Sequence, residues 1–289
     1  MKKFLGSGLF SMALLSMAST DAFGQPSTPP AYCAHIPAPS LTLPGATSFT
    51  YRTIGERNLR IHVFEPANPS RRRPAAIFFF GGGFRFGDVS TFADLAKAFT
   101  AQGYVAILAD YRIICRDNIG AVGGIDDAEA AISWVRKHFR ELRIDRTRVS
   151  LVGGSAGGAL AASAALRVPP AERPNALVLF NPVLDLESGI WAKDQTTADA
   201  LAYSPSRLPI DNLPPTIIFH GVADRTVPIK TSRDFCTRAI SSRRRCELME
   251  YPGQDHSFAD KHSVDASLGT SPFEDTFTKA LAFLNSVKH

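Results

Sequence analysis

The pentapeptide Gly153-Gly154-Ser155-Ala156-Gly157 constrains this chain more than any other stretch. An apolar run, Arg148-Val149-Ser150-Leu151-Val152, precedes it, and a small-residue run, Gly158-Ala159-Leu160-Ala161-Ala162, follows. The order reads as strand, sharp turn, helix. A serine on such a turn stands clear of the backbone, where it can act as a nucleophile. Glycines on either side let strand and helix pass without colliding Cβ atoms. The N–H groups that open the helix point toward the serine's surroundings, where an oxyanion can be held. Stripped of its context, the same pentapeptide is a Gly-rich turn of the kind any α/β protein uses.

A nucleophilic serine needs a histidine to take its proton and a carboxylate to orient that histidine. Thr216-Ile217-Ile218-Phe219-His220 reads as a buried strand, with Asp224 in the loop past its end. Cys246-Glu247-Leu248-Met249-Glu250-Tyr251 reads as a strand, and His256 sits in the loop after it. Ser155, Asp224 and His256 thus each follow a strand, in the chain order nucleophile, acid, base. In a parallel sheet the carboxyl ends of the strands line one edge, where ligands bind. Asp185 also follows an expected strand and is the rival acid. His262 is the rival base. His220 precedes the acid and reads as structural, and His35, His62, His138 and His289 lie far from the motif loops.

Upstream, Ala75-Ala76-Ile77-Phe78-Phe79-Phe80 is an expected strand, followed by Gly81-Gly82-Gly83-Phe84-Arg85-Phe86-Gly87-Asp88. A triple-glycine loop can turn its amides toward developing negative charge, because no side chain blocks the approach. It is not a dinucleotide fingerprint, which needs glycine where Phe86 stands, and no phosphate-loop G-K-[ST] occurs.

Taken together, these four pieces resemble the α/β-hydrolase family. More narrowly they resemble its esterase/lipase branch with an H-G-G-G-type oxyanion loop, the hormone-sensitive-lipase-like and carbohydrate-esterase-like enzymes. Ala109-Asp110-Tyr111-Arg112, the stretch 126–136 and Asn181-Pro182-Val183-Leu184-Asp185 belong to the same likeness. The resemblance implies Ser155 as nucleophile, His256 as general base and acid, and Asp224 as its orienter. It implies oxyanion donors in the amides of Gly82, Gly83 and Ala156. Where the family carries histidine before the three glycines, this chain carries Phe80.

Residues 1–24 read as a signal peptide: Lys2-Lys3, then an apolar and small-residue stretch too short to span a membrane, then Ala22-Phe23-Gly24. Nothing later is apolar for long enough to span one. A secreted or periplasmic protein is therefore expected, and four cysteines fit an oxidising compartment. Cys236 and Cys246 flank an expected helix end and the next strand, which suits a local bridge. Cys33 and Cys115 remain as the second pair. Without metal-ligand spacing, no metal is assigned, and the chemistry calls for no cofactor. The net charge of +5 is read as solubility rather than nucleic-acid binding, because Arg71-Arg72-Arg73 and Arg243-Arg244-Arg245 sit in turns without interleaved aromatics.

Residues 25–44, rich in Pro, Ser and Thr, read as an arm, and residues 45–289 are expected to form one α/β-hydrolase domain. Residues 48–64 suggest an edge hairpin. Strands are then expected near 75–80, 104–109, 148–153, 176–181, 215–220 and 246–251. Helices are expected near 89–102, 126–141, 155–167, 230–241 and 273–287. Such alternation implies a mostly parallel sheet with helices on both faces. Residues 186–213 break it, as a lid or as a structural loop with one short helix. With no sequence for a large N-terminal helical cap, an open site is expected. The expected function is a secreted serine esterase acting on small-molecule or polysaccharide-linked esters. A serine peptidase of the same fold and a binding protein on a hydrolase scaffold are the alternatives.

Overall fold

The computed structural model describes residues 31–34, 36, 38–67, 72–189, 191–260 and 270–288. The expected signal peptide and His262 lie outside these residues.

Eight strands form one sheet in the order β1-β2-β4-β3-β5-β6-β7-β8. β1 (Thr47–Ile54) and β2 (Arg57–Phe64) are the expected edge hairpin, turning at Gly55, whose φ of +57° favours glycine. β2 runs antiparallel to β4 (Val105–Ala109). From β4 onward, β3 (Arg73–Phe79), β5 (Ile144–Gly154), β6 (Ala176–Phe180), β7 (Thr216–Gly221) and β8 (Cys246–Tyr251) are all parallel. β4 and β7 are buried along their whole length, so both faces of the sheet are covered. Continuous apolar runs such as Val105-Ala106-Ile107-Leu108-Ala109 suit that setting, because neither side of the strand meets water.

The helices are α1 (Ala93–Ala101), α2 (Ile114–Asp117), α3 (Ala121–Lys137), α4 (Ala156–Arg167), α5 (Thr197–Tyr203), α6 (Lys230–Ser241) and α7 (Pro272–Ser286). Phe99 of α1 meets Phe78 of β3 and Phe277 of α7, at ring centroid distances of 5.5 and 5.4 Å. α7 opens with a capping box: Ser271 accepts from the Glu274 amide, and Glu274 reaches back to the Ser271 amide.

Two expected helices shift. The one near 89–102 opens as a 3-10 turn, Val89–Phe92, before α1 begins. α3 starts at Ala121 instead of 126, because Gly123 and Gly124 are helical rather than loop residues. Gly124 faces the Tyr111 ring, where a Cβ would lie only 3.3 Å away, so close helix packing uses these glycines.

Cys33 is bonded to Cys115 and Cys236 to Cys246, with Cα–Cα distances of 5.0 and 5.3 Å. The first bridge ties the N-terminal arm to α2. Beside it, Ser40 donates from its amide and hydroxyl to Asp88, both at 2.8 Å.

Residues 186–213 are sewn to the body. The Ser206 amide donates to the Leu184 carbonyl and Ser163 Oγ to the Tyr203 carbonyl, while within the segment the Leu186 amide donates to Ser204 Oγ. Arg238 donates to the Pro205 carbonyl, and Arg85 pairs with Asp194. The segment lies against the body through these bonds and carries one short helix, α5. Among the described residues, no helix is long and apolar enough to cross a membrane.

Candidate active site

Ser155 sits between β5 and α4 with φ 53° and ψ −119°, a left-handed backbone that L-residues rarely adopt. The turn can be this tight because its neighbours lack side chains. A Cβ at Gly153 would overlap Gly157, and one at Gly157 would overlap the carbonyl oxygens of Phe79 and Phe80. Local bonds then hold the strained residue. Its amide donates to the Phe180 carbonyl (2.8 Å), and its carbonyl accepts from the amides of Gly158 and Val183, both at 3.0 Å. Ser155 remains partly exposed, whereas Ala156 is buried at the N-terminus of α4.

Asp224 follows β7, and its side chain is fully buried. Oδ1 accepts from the amides of Thr226 (2.9 Å) and Val227 (2.8 Å). Oδ2 accepts from His256 Nδ1 at 2.8 Å and lies 3.2 Å from His220 Nε2. Burial pushes the carboxyl pKa up, but the hydrogen bonds from His220, His256 and Val227 outweigh it and hold the group well below the usual carboxylate range. A charged carboxylate can only accept, so His256 Nδ1 carries the proton. In the neutral imidazole that tautomer leaves the lone pair on Nε2.

His256 follows β8 in a loop that is pinned independently. Asp255 accepts from its own neighbour's amide at His256 (2.8 Å), from the Arg225 amide (3.0 Å) and from the Arg225 guanidinium (2.5 and 2.8 Å). Those bonds lower the Asp255 pKa to about 2. Gly221 lets the two loops approach, since a Cβ there would overlap the carbonyls of Gln254 and Asp255. The Asn181 side-chain amide fits with its nitrogen toward the Phe219 carbonyl and its oxygen toward the Ser257 amide, each at 3.1 Å.

Asp224 and His256 are thus brought together, and Ser155 stands at the carboxyl end of β5 in the same parallel sheet. Asp185 does not join them. Its carboxylate binds the Glu187 amide (2.9 Å) and Ser188 Oγ (2.8 Å) within its own turn. His220 is structural in a more specific sense than its position implied. The Val227 carbonyl, 2.9 Å from Nε2, can only accept, so Nε2 carries the proton, and Nδ1 accepts from Ser232 Oγ at 2.8 Å. This N–H points at the acid as well. The spacing of His220 and Asp224 was the available signal, but only the turn after β7 folds one onto the other.

The glycine loop follows β3. Gly82, Gly83 and Gly87 have φ of +122°, +61° and +112°. A side chain at Gly82 would overlap the Phe86 carbonyl. Two α2 amides hold the loop's far side: Ile114 donates to the Phe84 carbonyl (2.9 Å) and Cys115 to that of Arg85 (3.1 Å). A cleft of about 610 Å³ opens beside the loop that binds Asp224, and neither Ser155 nor His256 lines it. Its walls include Arg85 of the glycine loop, Trp191 of the 186–213 segment, and Thr226 and Val227, whose amides bind Asp224. Among the described residues, no group of three His, Cys, Asp or Glu side chains is arranged to hold a metal ion.

The family described as alpha/beta hydrolase fold matches residues 76–208. Esterase 2 of Thermogutta terrifontis, in its apo form, superposes with a TM-score of 0.77 at 35% identity, covering 84% of this chain and 95% of that one. This chain belongs to the α/β-hydrolase family. The hydrolase is also 26% identical over 266 residues to esterase LipC of Mycobacterium tuberculosis, covering 77% of this chain and 64% of LipC. It is 27% identical over 234 residues to an acetylxylan esterase of Xylanibacter ruminicola, covering 74% of this chain and 46% of that protein. It therefore spans less than two thirds of these two curated relatives. The Thermogutta esterase has also been solved with propionate or butyrate bound and phosphorylated by paraoxon.

Proposed function

We propose that this hydrolase is a secreted serine esterase that cleaves carboxylic esters of short acyl groups, including carbohydrate-linked ones. The observation that carries the reading is the 2.8 Å bond from His256 Nδ1 to the buried, charged Asp224, on the sheet edge where Ser155 occupies its strained elbow.

In this reading His256 Nε2 takes the Ser155 proton as Oγ attacks the ester carbonyl. Asp224 holds the imidazole in the tautomer that makes Nε2 the base, and stabilises the imidazolium that forms. Positive φ at Gly82 and Gly83 turns the loop backbone without side chains in the way. The amides of Gly82, Gly83 and Ala156 take the tetrahedral oxyanion. His256 then protonates the leaving alcohol, and water, activated by the same histidine, hydrolyses the acyl-enzyme.

The short-acyl preference is supported by the relative that holds propionate or butyrate, and the carbohydrate link by the acetylxylan esterase likeness. Export is supported by the two disulfides and the N-terminal sequence.

Hydrolysis of p-nitrophenyl esters from acetate to octanoate, by the mature protein and by Ser155→Ala, tests the reading. The expected result is turnover greatest for acetate to butyrate, reduced by about 10⁶-fold in the variant. A variant as active as the parent sinks it. Release of acetate from acetylated xylan is the next measurement.

A further inference from the structure

Phe80 stands where the resemblance calls for histidine, and its surroundings show what holds the residue. Phe80 and Tyr111 are both buried, and their rings stack with centroids 4.0 Å apart and planes 19° from parallel. The Tyr111 hydroxyl donates to the Phe80 carbonyl at 2.7 Å. Burial holds this phenol far above its usual range, so the hydroxyl stays protonated and remains a donor. One residue therefore grips Phe80 twice, ring to ring and hydroxyl to carbonyl.

The gripped carbonyl lies at a joint. On one side is the first turn of α4, where a Cβ at Gly157 would overlap it. On the other is the glycine loop, whose last glycine, Gly87, lies so close to the Phe80 ring and the Gly81 carbonyl that a Cβ would overlap both. Gly81 itself rests on the elbow: a Cβ there would lie 3.1 Å from the Gly154 carbonyl and 3.3 Å from Ser155 Cβ. The peptide from Phe80 to Gly81 thus sets the spacing between two separate elements. One carries the amides of Gly82 and Gly83, the other the amide of Ala156. All three must reach a single oxygen at about 2.7–3.1 Å. A displacement of about 1 Å in such an arrangement costs on the order of 10²-fold in rate.

We infer that Tyr111 is a positioning residue for the oxyanion hole: its hydroxyl and its stack on Phe80 lock the joint between glycine loop and nucleophile elbow. The inference rests on the esterase reading above. Tyr111 touches no substrate and acts through Phe80.

Two variants separate its two grips. Tyr111→Phe keeps the stack and deletes the hydroxyl. Phe80→Leu keeps the carbonyl bond and deletes the stack. Each is assayed for kcat and KM on p-nitrophenyl butyrate, for inhibition by butylboronic acid, which becomes tetrahedral on the serine, and for inhibition by planar butyrate. Tyr111→Phe is expected to lower kcat by about 10- to 100-fold and boronic acid affinity by the same factor, with KM and butyrate affinity within about twofold. Phe80→Leu is expected to follow the same pattern at about 3- to 10-fold. Where Tyr111→Phe is not recovered folded, Phe80→Leu decides alone. Native kcat and boronic acid affinity in the folded variants overturn the inference. So does an equal loss of butyrate and boronic acid affinity, which marks general damage to the site. A parent enzyme without Ser155-dependent turnover overturns the esterase reading and this inference with it, whereas an active parent matched by both variants overturns the inference alone.

Discussion

Asp224 and the Gly82 amide both follow parallel strands of one sheet, yet they are held there by different means. The Asp224 carboxylate is held by polar groups: two backbone amides, His256, and His220 braced by Ser232 and the Val227 carbonyl. Around the glycine loop the supports are the Phe80–Tyr111 stack, the bare backbone of Gly81, Gly87 and Gly157, and hydrogen bonds to the loop's carbonyls from the Tyr111 hydroxyl and the amides of α2, itself leashed by Cys33–Cys115. The difference follows from what each half must present. A buried charge is stable only if its lone pairs are taken up. An array of N–H donors needs shape, and absent side chains give it that shape. In the proposed mechanism, the acid–base half should therefore fail when charge is removed, and the oxyanion half when volume is added.

The largest effect tests the first half. Asp224→Asn should lower kcat by about 10⁴-fold, because the amide no longer selects the working tautomer of His256. Asp185→Asn should leave kcat within about threefold, since the Asp185 carboxylate binds the Glu187 amide and Ser188 Oγ and not His256, although the residue lines the neighbouring cleft. The reverse result moves the acid. Stability gives a second readout. The folded-state pKa of Asp224 is depressed, so its contribution is present above the ordinary carboxylate range, near pH 3.9, and is lost as pH falls toward the folded value. Asp224→Asn should therefore melt below the parent at pH 7, by about 1–3 kcal/mol, and the two melting curves should converge in acid. A gap that widens in acid contradicts the charge-based account.

Next comes added volume. Gly157→Ala pushes a methyl into the carbonyls of Phe79 and Phe80 and should cost about 10²- to 10³-fold in kcat, with KM little changed. An enzyme at full speed would mean that shape does not govern the oxyanion half.

The smallest effects on kcat concern the disulfides, whose larger effect is on stability. Cys33–Cys115 spans 82 residues of sequence and Cys236–Cys246 only 10. Chain entropy gives the first about 4–5 kcal/mol and the second about 3 kcal/mol. Denaturant melts of the paired Cys→Ala variants should rank in that order. The first pair should also lower kcat by a few fold, since α2 holds the Phe84 and Arg85 carbonyls of the glycine loop. Equal kcat in both variants removes the leash from the account of the oxyanion half.

The elbow, the strand runs and the order Ser155, Asp224, His256 could be read from the chain because each rests on local signals. Apolar runs of five or six residues mark strands buried on both faces, and glycine spacing marks the tight turn. The start of α3 was missed for a physical reason. Gly123 and Gly124 look like breakers, and only their packing against Tyr111, Arg112 and Leu160 makes them helical residues. Residues 186–213 stayed open between lid and loop, because the bonds that fix them come from Ser163, Arg85 and Arg238 in distant elements.

The sequence by itself determined a parallel α/β sheet with a strained serine elbow, since backbone preference and strand burial act over a few residues. Tertiary structure alone decided that His220 would brace Asp224, that Phe80 would lie on Tyr111 and that Gly157 would face the Phe80 carbonyl. Each of these depends on the distance between groups on different elements, and that distance exists only once the strands have paired and the helices have packed.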